Sequence, residues 1–415
     1  MTYVMTEKKT ITAVDIKKPL NLNRQDFMAN KYAYYTWLRE EAPVCKGKIH
    51  IINGYFLSRY DDCVNMLNDS RFVRNRATAT GGRRSIIPMP KSVSTLMNSM
   101  MSEDEPEHRR LRNLVHKAFT PRKLANLEGH IETLTQELLD KAEKQGQVDL
   151  METYARPIPM TVIAKMLGTD VDEVHQFAKF VHIITNGFSG FTIFRTILWN
   201  MPKISKFVRQ LIERKRSHPA DDILTGLIQA EEDGDRLSED ELVAMVFLLI
   251  AAGHSTTYNL IINSVYTLLM YPEQLTRLRA EPALIESAIE EVLRFNGPQH
   301  ITSPEYASVD VTLHGVTIPK GSTVFSLLGA ANHDPEAFVN PEDFDITRSP
   351  NRHLSFGMGI HHCLGASLAR METKIALNAL LERNPNLRLA VAPDELELVV
   401  RPGWHQYKSM PVILG

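Results

Sequence analysis

The sequence predicts a mainly α-helical protein with small β-sheets, built as one large domain. Three observations carry this. Long stretches repeat apolar residues at helical spacing, above all Leu237 to Met270 and Leu364 to Arg383. Alternation of the strand type is confined to two short regions, Ile51 to Tyr60 and Val309 to Leu328. No Pro/Gly/Ser-rich linker, repeat or low-complexity run divides the 415 residues, of which 43% are hydrophobic. Residues 1–30 form a polar N-terminal extension and residues 31–415 the domain. The extension lacks the apolar core of a signal peptide or anchor, and the longest apolar run, Leu242 to Ala252, is too short to cross a bilayer. Three cysteines, Cys45, Cys63 and Cys363, make no disulfide framework and suit a reducing cytosol. A cytoplasmic protein without a membrane anchor is therefore expected, and its formal charge of -2 gives no general attraction to nucleic acid.

The elements follow in order. Lys31 to Glu41 has the pattern of an amphipathic helix; Ile51 to Tyr60, with Gly54 and Tyr55, is a strand, and Asp61 to Leu67 a short helix. Arg71 to Met101 carries Arg74, Arg76, Arg83 and Arg84 among Gly, Pro and Ser without a helical stripe, which predicts a solvated basic loop. Pro106 opens a helix on which His108 and Arg112, four apart, share a face. Two amphipathic helices occupy Lys123 to Gly168, and Glu173 to His218 is rich in Phe and Ile, including Phe177, Ile184, Phe188 and Phe194. The longest helix is marked by a capping box, Ser238 with Glu241, and a hydrophobic staple, Leu237 with Leu242; Pro272 stops it. Midway it carries Ala252-Gly253-His254-Ser255-Thr256-Thr257, small and polar residues that cost helix stability and so point to a ligand or water groove. Glu291 and Arg294 are three apart on the next helix, able to pair. Val309 to Thr312, Val316 to Ile318 and Val324 to Leu328 are strands separated by His314-Gly315 and Pro319-Lys320-Gly321, and Pro402 to Tyr407 is a turn.

Chemistry concentrates at Phe356-Gly357-Met358-Gly359-Ile360-His361-His362-Cys363-Leu364-Gly365. Glycines before and after the cysteine permit tight turns and the approach of a flat ligand, and the predicted helix from Leu364 places Cys363 at a helix N-terminus that favours a thiolate. These residues admit three readings: a buried structural cysteine, a zinc site through His361, His362 and Cys363, or a haem ligand. Phe356, Gly359, Cys363 and Gly365 form Phe-x-x-Gly-x-x-x-Cys-x-Gly, which resembles the haem-binding signature of the cytochromes P-450.

The resemblance covers nearly the whole chain and implies the cytochrome P-450 fold, with haem b between the long helix and the cysteine loop. By it Cys363 is the axial, metal-binding ligand; a thiolate there pushes electron density to the iron and favours O–O cleavage. It implies that His108, Arg112, His353 and His361 meet haem propionates. Gly253, His254, Ser255 and Thr256 cross the oxygen-binding face, where the Thr256 hydroxyl steers protons. Glu291 and Arg294 brace the haem-binding core, and the Phe-rich segment is a mobile lid. Three departures stand out. Ser255 replaces the acid usual before the threonine, and a hydroxyl relays a proton without storing one. Glu305 replaces a propionate-binding arginine, so either it turns away or the propionate relies on the other cations. Asn340 to Phe344 offers no arginine to complete the Glu291/Arg294 network. The expected activity is insertion of one oxygen atom from O2 into a small apolar substrate of the polyketide or macrolide kind in secondary metabolism. Desaturation, oxidative coupling or peroxide use, and steroid, terpene or fatty-acid hydroxylation, are the alternatives. The chain has no flavin or nicotinamide fingerprint, so a ferredoxin or flavodoxin with its reductase is the expected partner, docking on Arg109, Arg110 and Arg352.

Overall fold

The structure, a computed structural model, describes residues 20–82, 91, 94–95, 98–119, 121–173, 200–232 and 234–415. Most of the N-terminal extension, Arg83, Arg84 and the Phe- and Ile-rich stretch from Phe177 to Ile197 lie outside the described residues. The protein is mostly helical with small sheets. It divides into two compact units: Met1–Arg84, Glu290–Cys363 and Leu398–Gln406 in one, Ser85–Ile289, Leu364–Glu397 and Tyr407–Gly415 in the other.

The first unit is organised by a six-stranded mixed sheet in the order Leu20–Asn21, Val44–Ile49, Ile52–Leu57, Thr323–Ser326, Glu305–Ala307, Phe72–Val73. Val44–Ile49 and Ile52–Leu57 form a hairpin in which Gly47 faces Gly54. A Cβ at Gly47 would lie 2.7 Å from the Leu20 carbonyl oxygen, so the bare backbone there is what lets Leu20–Asn21 pair alongside. The expected strand from Ile51 is shorter than its run of apolar residues. Its partner escaped the sequence pattern because Lys46 and Lys48 break the apolar alternation of Val44–Ile49. Helices Lys31–Glu41 and Tyr60–Asn68 match expectation, and the sheet is sealed by apolar clusters around Phe56, Phe325 and Leu38 on one side and Leu57, Val324 and Met66 on the other. Within the stretch expected to be an irregular basic loop, Phe72–Val73 is an edge strand and Arg76–Thr80 a helical turn capped by Asn75, whose side chain accepts from the Ala77 N–H. The hairpin Val311–Leu313/Val316–Ile318 turns through His314 and Gly315 at φ 48° and 75°, as its Gly predicts.

A buried ionic knot locks the segment that leads to the cysteine loop. Arg294 makes a bidentate pair with Glu291 at 2.8 Å, both fully buried, and donates to the carbonyls of Asn332, Pro341 and Asp343. The missing third member is Arg348, beyond the stretch in which an arginine was sought; its Nε lies 3.1 Å from both Glu291 oxygens.

The second unit is helical. Its long helix, Glu239–Met270, starts at the expected capping box: the Ser238 hydroxyl accepts from the Glu241 N–H, and the Glu241 carboxylate accepts from the Ser238 N–H. At 32 residues, within the span expected from Leu237 to Met270, it is long and apolar enough to cross a bilayer, although its longest unbroken apolar run, Leu242 to Ala252, is not. Half of its most apolar window is buried, and Val243, Val246, Ile261, Ile262 and Val265 pack as core, so it has the character of a central core helix. It packs on Pro157–Leu167, Met201–Ser217 and Ala366–Arg383, and Ala366–Arg383 also packs along Pro121–Glu143. A three-stranded sheet, Arg388–Leu389, Pro411–Ile413 and Gln147–Asp149, closes the unit's edge.

Candidate active site

The cysteine loop belongs to the first unit, and its shape follows from its glycines. Gly357 and Gly359 hold φ 69° and 68°, values that a side chain strains, and a Cβ on Gly359 would come within 2.4 Å of the Leu67 carbonyl oxygen. Between them the chain folds back until the Cys363 N–H donates to the Phe356 carbonyl at 2.9 Å, with a 3-10 turn over Gly359–His361. Cys363 ends the loop exposed and outside any disulfide, which removes the reading of it as a buried structural cysteine. The buried one is Cys63, whose thiol is pushed up to about 12, chiefly by burial. The following helix begins at Ala366 with Gly365 at its cap, so Cys363 stands two residues ahead of the cap instead of within the helix end.

His353 is not presented as the sequence led us to expect. Its Nε2 lies 3.1 Å from the Glu290 carboxylate and its Nδ1 accepts from the Ser355 N–H at 3.2 Å, so both ring nitrogens are committed to bracing the loop's approach. Its ring lies 6.0 Å from that of Phe356. His361 sits half-buried within the loop turn.

In the second unit Gly253, His254, Ser255 and Thr256 lie together on the long helix, and there the burial pattern breaks. Ala252 to Thr256 are left partly or fully open, whereas Thr257 to Val265 are almost continuously buried. This partial exposure interrupts an otherwise mostly buried helix at its small and polar residues. The Thr256 hydroxyl donates to the Ala252 carbonyl at 2.6 Å, the Asn259 amide donates to the Ser255 carbonyl at 2.7 Å, and His254 meets Tyr258 edge-on at 5.1 Å. His108 is buried on Glu107–Ala118, and Arg112, one turn on, donates from Nε to His116 at 3.3 Å. Arg110, offered as a docking residue, is engaged internally by Glu107, Asp235 and Glu241, the first of which does most to push its guanidinium above its ordinary value. Arg109 is exposed and pairs with Glu105, and Arg352 is exposed.

Comparison with known proteins decides the family. The family Cytochrome P450 matches residues 33–393. The chain is a cytochrome P450. It is 37% identical over 398 residues to the polyketide biosynthesis cytochrome P450 PksS of Bacillus subtilis, covering 94% of this chain and 97% of that one. It is also 37% identical over 394 residues to the cytochrome P450 monooxygenase PikC of Streptomyces venezuelae, covering 94% and 92%. The solved structure of the B. subtilis bacillaene synthase P450 PksS superposes with a TM-score of 0.87 over 95% of this chain and 99% of that one, at 36% identity. P450BioI in complex with a hexadec-9Z-enoic acid-ligated acyl carrier protein superposes with a TM-score of 0.85 over 94% and 100%, at 36% identity. The P450 fold and a monooxygenase activity with haem b, dioxygen and a redox partner follow from this membership.

The residues of this P450 fit its cofactor. Cys363 is exposed at the end of a loop whose Gly359 is packed against the Leu67 carbonyl, and a cysteine sulfur is the soft donor that a haem iron takes. His108 and Arg112 lie one turn apart on one helix, an imidazole and a guanidinium whose N–H groups can donate to carboxylates. Three features escaped the sequence. Arg348 completes the Glu291 knot, Arg74 is no solvated loop residue but is buried against Glu305, and Glu372 is buried on the helix after the cysteine. None has a local signature, because each is set by packing or by a partner distant in the chain.

Proposed function

We propose that this cytochrome P450 oxidises an apolar polyketide or fatty-acyl chain in secondary metabolism, and that Cys363 would ligate the iron of its haem. The observation that carries the assignment is the exposed residue Cys363, delivered by a loop whose glycines hold left-handed φ and whose Gly359 abuts Leu67. Bound haem supplies activation of dioxygen, with one oxygen atom going to the substrate and the other to water. His108, Arg112 and His361 hold the propionates by charge-assisted hydrogen bonds. Phe356, Gly359 and Gly365 would shape the loop around the thiolate, and Gly253, where a Cβ would lie 3.5 Å from Ile163, lets the long helix pack closely on Pro157–Leu167.

Proton traffic falls to neutral groups. The Thr256 hydroxyl donates to Ala252 in the resting helix and must turn outward to orient water. Ser255 relays in the place of an acid, because a hydroxyl's pKa is far too high for it to give up a stored proton. His254 is the nearest residue of this run able to hold one near neutrality. Electrons come from a ferredoxin or flavodoxin with its reductase, and the enzyme works in the cytoplasm.

The substrate class is supported by the relatives named for polyketide biosynthesis and by 6-deoxyerythronolide B hydroxylase, 35% identical over 393 residues. The acyl-carrier complex of P450BioI supports a second form, in which the chain is presented on a carrier protein. The test is spectral. The reduced carbon monoxide complex is expected to show the strongly red-shifted band of thiolate ligation and to lose it in Cys363→Ser. Titration with polyketides, acyl carrier conjugates and free fatty acids is expected to give a saturable shift to high spin with one of the first two classes. A shift with steroids or terpenes alone would overturn the substrate assignment.

A further inference from the structure

Position 305 carries an acid where the family resemblance leads one to expect a propionate-binding arginine, and a guanidinium is supplied from elsewhere in the fold. Phe72–Val73 pairs antiparallel with Glu305–Ala307, with Phe72 opposite Ala307 and Val73 opposite Tyr306. The register brings Arg74, the next residue, across from Glu305. The Arg74 Nη2 lies 2.9 Å from the Glu305 carboxylate and its Nη1 donates to the Ser303 carbonyl at 2.8 Å; the two side chains are only 8% and 6% exposed. Ser308 N–H, donating to the Arg71 carbonyl at 2.8 Å, extends the pairing of the two segments on the far side. A guanidinium therefore stands beside position 305, supplied by the residue next to the opposite strand.

We infer that Arg74 is a haem-propionate residue of this enzyme and that Glu305 is its positioning residue. The inference rests on the haem-thiolate reading above. A guanidinium has five donors in a planar fork, so one arginine bridges an internal carboxylate and a ligand carboxylate. Glu305 fixes one edge of that fork, and the Ser303 carbonyl fixes the plane. A buried ion pair is seldom more stabilising than apolar residues of the same volume, so its presence at this rung points to a task other than stability.

The experiment compares the holoenzyme with Arg74→Met/Glu305→Leu, which removes both charges and leaves neither stranded, and with the exchange Arg74→Glu/Glu305→Arg. Haem loss to excess apomyoglobin and thermal unfolding are measured on each. The apolar pair is expected to melt near the wild-type temperature yet to lose haem about 10- to 100-fold faster, the scale of one charge-assisted hydrogen bond. The exchanged pair, which returns a guanidinium to position 305, is expected to restore retention to within about threefold of wild type. If the apolar variant holds haem as long as wild type, or if its haem loss only tracks a fall in melting temperature that the exchange does not reverse, the pair is a brace and the inference is wrong. Should the apolar variant fail to fold, Arg74→Lys decides. It keeps the charge and loses the fork, and unaltered haem retention at wild-type melting temperature overturns the proposal. Failure of the haem-thiolate reading itself shows separately, as absence of the red-shifted carbon monoxide band in the wild-type protein.

Discussion

Single side chains in this molecule sit far from their ordinary chemistry, and two have opposite consequences for pH. Lys31 is buried with its amine on the Nδ1 of His405; His405 stacks on His300 at 5.8 Å, and the Tyr35 hydroxyl lies 3.1 Å from the His300 Nδ1. Burial pulls the Lys31 amine from 10.5 down to about 7 and lowers both histidines. A base whose folded pKa is lowered binds fewer protons folded than unfolded, so its contribution to stability improves as pH rises from about 7 to 10.5. Lys31→Met is therefore expected to raise the melting temperature more at pH 6 than at pH 10, by up to about 1.4 kcal/mol per pH unit within that window. Glu372 runs the other way. Burial raises its carboxyl from 4.5 to about 8, so the fold is penalised as pH rises between those values. Glu372→Gln is expected to flatten the loss of stability between pH 5 and 8; an unchanged pH profile in thermal melts would show that the carboxyl is not held protonated. Cys363, Gly359 and Thr256 were legible in the sequence because their signals are local spacings. Arg74 was not, since Ser303, to which it also donates, is 229 residues away in the chain and only the sheet register brings the segments together.

At the scale of elements, the long helix was plain from its capping box and staple, because a helix end announces its hydrogen-bond needs in adjacent residues. Its far end at Met270 was equally plain, because Pro272 cannot continue a helix. The strand Val44–Ile49 was missed because of its lysines: with Lys46 and Lys48 on one face it lacks the apolar alternation that identifies a half-buried strand. The knot about Glu291 ties the helix Ile285–Asn296 to the segment that delivers the cysteine loop. Glu291 accepts from Arg294, Arg348, Asn351 and the Asp345 N–H, and is fully buried. Removing one cation from a buried carboxylate costs about 3–5 kcal/mol. Arg348→Gln is thus expected to lower the melting temperature by several degrees and to reduce the fraction of protein purified with haem; a variant with wild-type melting and haem content would reduce Arg348 to a surface partner.

For the molecule as a whole, the order of motifs along the chain was legible throughout, whereas its division was not. The break falls immediately after Cys363 and again within the helix that carries Glu291, places where the sequence shows no linker. Electron delivery also belongs to this scale. With Arg110 bound internally, the exposed basic residues proposed for an acidic carrier reduce to Arg109 and Arg352, of which Arg109 is already paired with Glu105. Arg352→Glu is expected to weaken ferredoxin-dependent reduction about tenfold at low ionic strength and far less at high salt. Salt-independent reduction in both proteins would locate docking elsewhere.

The close approach of Gly359 to the Leu67 carbonyl reaches beyond the loop itself. Leu67 closes the helix Tyr60–Asn68, so the cysteine loop is moulded by a segment from the opposite end of the gene. For anyone diversifying this enzyme toward new substrates, that couples two regions which look independent on paper. A one-residue insertion near Leu67, remote from every motif, would be felt as a steric fault at position 359, whereas chimeras that exchange both segments together keep the contact intact.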